Sequence, residues 1–94
     1  MYVFARIIGN LFYEEKEDGT FDIGFIDENV PVFNHQTYKL TCHLDKKNYQ
    51  KFKKKIGSLD NIIKLFSDRF HVNEFNKFCN KHEIKYTHKV RIGD

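Results

Sequence analysis

The sequence predicts an α+β domain: a mostly antiparallel sheet of about four strands with two or three helices packed on one face, in the order β-β-β-α-α-α-β. Three observations carry this reading. Residues 37–44 and 84–92 alternate apolar and polar side chains with period two, as strands with one covered face do. Between them, Leu59, Ile62, Ile63, Phe66 and Phe70 recur at helical spacing. Asp18-Gly19 supplies the positive-φ pair that a tight hairpin turn favours.

The elements follow in order. Residues 2–13 are β-branched and aromatic, with Val3, Ala5, Ile7 and Leu11 on one alternating face and Phe4, Ile8 and Phe12 on the other. This fits one strand covered on both sides, with Gly9-Asn10 as a bulge or bend. After the polar run 14–17 and the Asp18-Gly19 turn, Phe21, Ile23 and Phe25 point one way and Asp22 and Gly24 the other. Residues 1–26 are therefore expected to form a hairpin with an acidic tip. Residues 27–36 contain the only proline and read as a loop. In the strand 37–44, Tyr38, Leu40, Cys42 and Leu44 oppose Thr37, Lys39, Thr41 and His43.

Asp45 can cap a helix that stops at Gly57, and Ser58 can cap a second. A third helix, entered through Asn73-Glu74, would bury Phe75, Phe78, Cys79 and His82 on one face. In the final strand, Ile84, Tyr86, His88, Val90 and Ile92 alternate with Lys85, Thr87, Lys89 and Arg91.

Residues 1–94 are expected to be a single domain, long enough for one core but too short to hold separate substrate and cofactor domains. A hydrophobic fraction of 40%, with ten Phe and five Tyr, sets the chain apart from disordered compositions. No apolar run approaches the roughly 20 residues of a membrane span, and MYVFARIIGN lacks the layout of a leader. The expectation is a cytoplasmic protein with no membrane partner. Cys42 and Cys79 are expected as reduced thiols packed as small hydrophobes.

Charge is bipolar. Residues 1–44 hold three bases and seven acids, net −4, and residues 45–94 hold thirteen bases and six acids, net +7. Surfaces of one sign concentrate ligands of the other, and opposite-sign poles are also compatible with homo-oligomers. The stretch DKKNYQKFKKKIG, residues 45–57, carries six lysines. On a helix its Tyr49, Phe52 and Ile56 form an apolar stripe, with Lys47, Lys51 and Lys54 on the opposite side.

Catalytic chemistry is poorly provided for. Cys79 and His82 share a helix face, with Cys42, His43 and His88 as further candidates, but the paired spacing of zinc sites is absent. Neither thiol has a glycine-rich oxyanion turn, and the phosphate-cradling loops GxxxxGK[ST] and GxGxxG are missing. No catalytic residue, metal ligand or cofactor is assigned.

The function expected from this layout is a small non-enzymatic inhibitor or regulator that engages a protein partner. Its contacts would be the acidic hairpin, through Glu14, Glu15, Glu17 and Asp18, and an apolar loop, through Val32 and Phe33. The acids could compete for a basic site normally filled by nucleic acid. Abundant Lys, Asn, Phe and Ile suit an A+T-rich genome of phage or mobile-element type. The alternative is a DNA- or RNA-binding protein using Lys47, Lys51, Lys54, Lys85, Lys89 and Arg91. The third reading is a small metal-dependent nuclease or RNA-cleaving toxin, with Glu14, Glu15, Glu17, Asp18 and Asp22, and Asp27 and Glu28 in the next turn, as its candidate acids.

Overall fold

The computed structural model describes residues 2–30, 36–66 and 71–93, with side chains described for 5–7, 9–27, 37–62, 64–66 and 71–92. Five strands form one antiparallel sheet in sequence order: β1 (Tyr2–Ile8), β2 (Leu11–Lys16), β3 (Phe21–Val30), β4 (Gln36–Leu44) and β5 (Thr87–Gly93). Three helices, α1 (Lys46–Ile56), α2 (Asn61–Phe66) and α3 (Val72–Lys81), lie between β4 and β5 in the chain. The expected α+β architecture is present, with one strand more than the count read from the sequence.

The extra strand comes from residues 2–13, which are not one bulged strand. They turn back at Gly9-Asn10, where Gly9 has φ 58° and the register pairs Ile8 with Leu11. Asn10 holds the turn against β3, its side-chain amide donating to the Ile26 carbonyl at 2.9 Å while the Ile26 N–H returns to the Asn10 carbonyl at 2.8 Å. The turn brings Ile7 beside Phe12, so the face assignment made for a single strand does not hold. The first part of the expected loop is also regular: β3 runs on to Val30, and Asp27 pairs with Tyr38. Backbone pairing with β4 overrides the low strand propensity of DEN.

One face of the sheet is covered. Leu11, Tyr13, Phe21, Ile23, Leu40, Cys42 and Leu44 point into a core completed by Tyr49, Phe52 and Ile56 of α1, Ile62 and Phe66 of α2, and Phe75 and Cys79 of α3. The Phe21 and Tyr49 rings stack at 4.4 Å between centroids, nearly parallel. Asp45 caps α1, its carboxylate accepting the Asn48 N–H at 2.8 Å, and Gly57 ends it at φ 81°. A left-handed residue there satisfies a terminal carbonyl, and glycine adopts it without Cβ strain.

The last strand begins three residues later than its alternation suggests. Ile84 is buried and donates to the Cys79 carbonyl at 2.8 Å, and Lys85 donates its N–H to Asn48 Oδ1 at 2.8 Å. These bonds tie residues 84–86 to the helix layer rather than to β4. Val90 and Ile92, on the covered side of β5 by register, remain half exposed.

Candidate functional site

The other face of the sheet carries no helix among the described residues, and the register fixes what it shows. Three cross-strand rows follow from strict alternation. Nearest the β2–β3 turn run Glu14, Asp22, His43 and Thr87; next come Ile7, Phe12, Gly24, Thr41 and Lys89; then Ile26, Lys39 and Arg91. Lys16 joins the same face at the end of β2.

Asp22 anchors the first row. It is 8% exposed, and each of its carboxylate oxygens has one cationic or titratable partner: Lys16 Nζ at 2.7 Å and His43 Nδ1 at 2.6 Å. This satisfies a nearly buried carboxylate and fixes the imidazole with its Nε2 edge turned away. Lys16, Asp22, Thr41, His43, Thr87, His88 and Lys89 line a hollow of about 300 Å³. His88 pairs with Cys42, whose side chain is in the core, so its ring belongs to the covered side of the sheet.

The middle row explains why an aromatic ring can be buried on an open face. Phe12 is 2% exposed although no helix covers it. It lies across Gly24, its register partner, and Lys39 Nζ sits 4.7 Å from its ring centroid. A Cβ at Gly24 would overlap the Leu40 carbonyl oxygen and stand 3.0 Å from Phe12 Cε1. Glycine is required by this close approach.

The third row is cationic. Lys39 stands opposite Arg91, and Lys89 lies two residues along β5, roughly 7 Å away in an extended strand. No carboxylate forms an ion pair with any of the three among the described residues.

The acidic residues of the expected hairpin are dispersed. Glu14 and Glu15 are consecutive strand residues and face opposite sides of the sheet, which prevents their sharing one ion. Glu15 accepts the Tyr49 hydroxyl at 2.6 Å and Lys53 Nζ at 3.3 Å. The Tyr49 bond holds its carboxyl below the ordinary range, assisted by Lys53 and opposed by partial burial. Asp18 accepts both the N–H and the hydroxyl of Thr20, which lowers its carboxyl too and fixes the turn. Glu17 is exposed at that turn. Val32 and Phe33 lie outside the described residues.

The basic set also divides. Lys47, Lys51 and Lys54 are exposed on α1, in the helix layer, and Lys51 donates to the Glu83 carbonyl at 3.2 Å. Lys85 stands with them at the start of α1, through its bond to Asn48. Lys89 and Arg91 alone of the six belong to the open face, joined there by Lys16 and Lys39.

Cys42 and Cys79 are free and buried, and desolvation pushes both thiols up to about 12. They pack as small apolar groups and offer no thiolate near neutrality. No group of three His, Cys, Asp or Glu side chains that could hold a metal ion occurs among the described residues. None of the helices in the described residues is long and apolar enough to cross a membrane. A wider hollow of about 480 Å³, lined by Phe25, Tyr38 and the start of α3, has no cationic or nucleophilic cluster in its wall.

Sequence reasoning missed Lys16, Asp22 and His43 as neighbours, and Lys39 as the partner of Arg91. Each stands at a polar parity of its own strand, a visible signal, but their convergence depends on strand order. No family model matches the chain, and no match was found among curated proteins or solved structures.

Proposed function

We propose that the protein is a non-enzymatic binding protein whose working surface is the open face of the sheet and whose partner is a nucleic-acid backbone. The observation that carries this is the group Lys39, Lys89 and Arg91, adjacent across β4 and β5 and paired with no carboxylate among the described residues. Three such cations can each displace condensed counterions from a phosphate, giving affinity with little sequence information. The only phenyl ring described on that face, Phe12, is buried under Lys39, and His43 is held by Asp22, which favours phosphate contact over base stacking. The two histidines that line the hollow, His43 and His88, leave opposite sides of the sheet by register, which favours binding over cleavage by a paired acid and base.

The test is fluorescence anisotropy with a labelled single-stranded oligonucleotide over a salt series. Three phosphate contacts give a slope of log affinity on log salt of roughly −2, from about −0.7 per contact. Lys89→Glu with Arg91→Glu should flatten the slope and weaken binding more than tenfold. No binding at low salt, or binding unchanged by the two reversals, rejects the proposal.

A second reading keeps a protein partner, as an inhibitor or regulator engaging a basic site. It is favoured by Glu17 and Asp18, exposed at the β2–β3 turn. Capture of a partner that is lost on Glu14→Lys with Glu17→Lys, and insensitive to nuclease, would support this reading over the first.

A further inference from the structure

We propose that the hollow around Lys16, His43 and Lys89 is a phosphate-binding subsite that takes a phosphate monoester, either the terminal phosphate of a nucleic-acid strand or that of a free nucleotide. As a strand-end site it rests on the reading of the open face as a nucleic-acid surface; as a nucleotide site it stands without it.

The geometry is that of a prepared anion site. Asp22, nearly buried at the junction of β2, β3 and β4, holds Lys16 on one oxygen at 2.7 Å and His43 on the other at 2.6 Å. Both side chains are thus anchored from behind, which removes part of the ordering cost of binding. Thr41 and Thr87 add hydroxyls to the wall, and Lys89 closes it from β5. With Nδ1 turned to Asp22, His43 offers Nε2–H to a ligand when the ring is the imidazolium.

Donor number selects the ligand. Lys16 and Lys89 line the hollow with Asp22 as its one lining carboxylate and Asp18 near Lys16 and His43 at the turn, and His43 adds a positive charge whenever its ring is the imidazolium. A phosphate monoester carries about −1.5 to −2 near neutrality, whereas a diester within a strand carries a single charge. The monoester's second charge and extra terminal oxygen are better served by two lysines and an imidazole facing one hollow, and its oxygens can engage the several donors at once. The volume of about 300 Å³ admits the phosphate and leaves room for the attached sugar.

Recognition of a strand end is tested by comparing two single-stranded oligonucleotides that differ only in a 5′-phosphate or a 5′-hydroxyl. The phosphorylated strand should bind about tenfold tighter, the weight of one charge-assisted hydrogen bond. His43→Gln and Lys89→Gln should each erase that preference, while Lys54→Gln, on α1, should leave it intact. In parallel, uridine 5′-monophosphate and inorganic phosphate are titrated while the NMR signals of the His43 ring and the Thr41 and Thr87 amides are followed. Equal affinity for the two strands, with those signals unmoved, overturns the subsite and leaves the open-face reading standing. Shifted signals with neither strand bound support the subsite as a nucleotide site and overturn the open-face reading. Signals unmoved by either ligand, with no strand bound, overturn both.

Discussion

Tyr49 donates its hydroxyl to Glu15 at 2.6 Å and so ties α1 to the end of β2 across 34 residues of chain. Glu15 is held on the covered side of the sheet by this bond and by Lys53, instead of standing at the hairpin tip as a surface acid. Burial, the Glu15 hydrogen bond and the nearby carboxylate together push the Tyr49 hydroxyl far above the usual phenolic range. It remains a donor at all working pH values.

Tyr49→Phe should cost about 2 kcal/mol, because it removes a hydrogen bond to an ionised acceptor. The sign of its pH dependence follows from Glu15, whose folded-state pKa is depressed, with the Tyr49 bond as the largest cause. Stability from a depressed carboxyl is fully present above its unfolded value and is lost as pH falls through the folded one. Urea denaturation of wild type and Tyr49→Phe should therefore show a gap that is widest near neutrality and narrows below the ordinary carboxylate range. A gap independent of pH would show that the bond does not favour the charged form.

Gly24 is a steric requirement, since a Cβ there would overlap the Leu40 carbonyl and press on Phe12. Gly24→Ala should destabilise the fold by about 3 kcal/mol, the upper part of the range for overpacking. Adding Phe12→Ala should not restore stability, because the backbone overlap with Leu40 persists and the ring's burial is lost as well. Denaturation midpoints check both statements. A Gly24→Ala protein within about 0.5 kcal/mol of wild type, the scatter expected of neutral surface changes, would contradict the packing described.

What the sequence disclosed was local. Asp45 and Gly57 bracket α1 because capping depends on residues three or four apart. Asp18-Gly19 marked the β2–β3 turn for the same reason, but not as the expected positive-φ pair: Gly19 alone has positive φ, and its N–H donates to the Lys16 carbonyl at 3.0 Å across a three-residue loop. The turn at Gly9-Asn10 was hidden because Ile7 and Phe12 put apolar groups on a face that no helix covers. Phe12 is buried there only because a glycine from another strand and a lysine from a third make room for it and cover it. The same limit applies to the candidate site. Lys89 and Arg91 were readable from the alternation of one strand. Asp22 meets His43 across 21 residues and Lys16 across a turn, and that meeting needs the pairing of β2 with β3 and of β3 with β4.

Asn48 joins two ends of the domain: its Nδ2 donates to Asp45, and its Oδ1 accepts the Lys85 N–H. Asn48→Ala should cost about 1–2 kcal/mol, because it strands a partly buried donor as well as losing a bond. Hydrogen exchange localises the effect. The Lys85 amide should exchange faster in Asn48→Ala, whereas Asn48→Asp, which keeps the acceptor, should retain much of its protection. Unchanged exchange at Lys85 in the alanine variant would mean that water already serves this N–H.

The two lysine groups make different predictions because the sheet separates them. Lys47, Lys51 and Lys54 stand in the helix layer, and Lys39, Lys89 and Arg91 on the opposite face. Two packed layers are about 10 Å apart, and exposed charges farther apart than about 8 Å are largely screened at physiological ionic strength. An anion bound on the open face should therefore sense the α1 lysines only when salt is low. Reversing Lys47, Lys51 and Lys54 to Glu should weaken oligonucleotide binding at low salt and have little effect near physiological salt. Reversing Lys39, Lys89 and Arg91 should weaken it at both, since those side chains would be in contact with phosphate. The opposite ranking near physiological salt would move the binding surface to α1, leaving Lys89 and Arg91 as charges that protect the exposed edge of β5 from pairing with another strand.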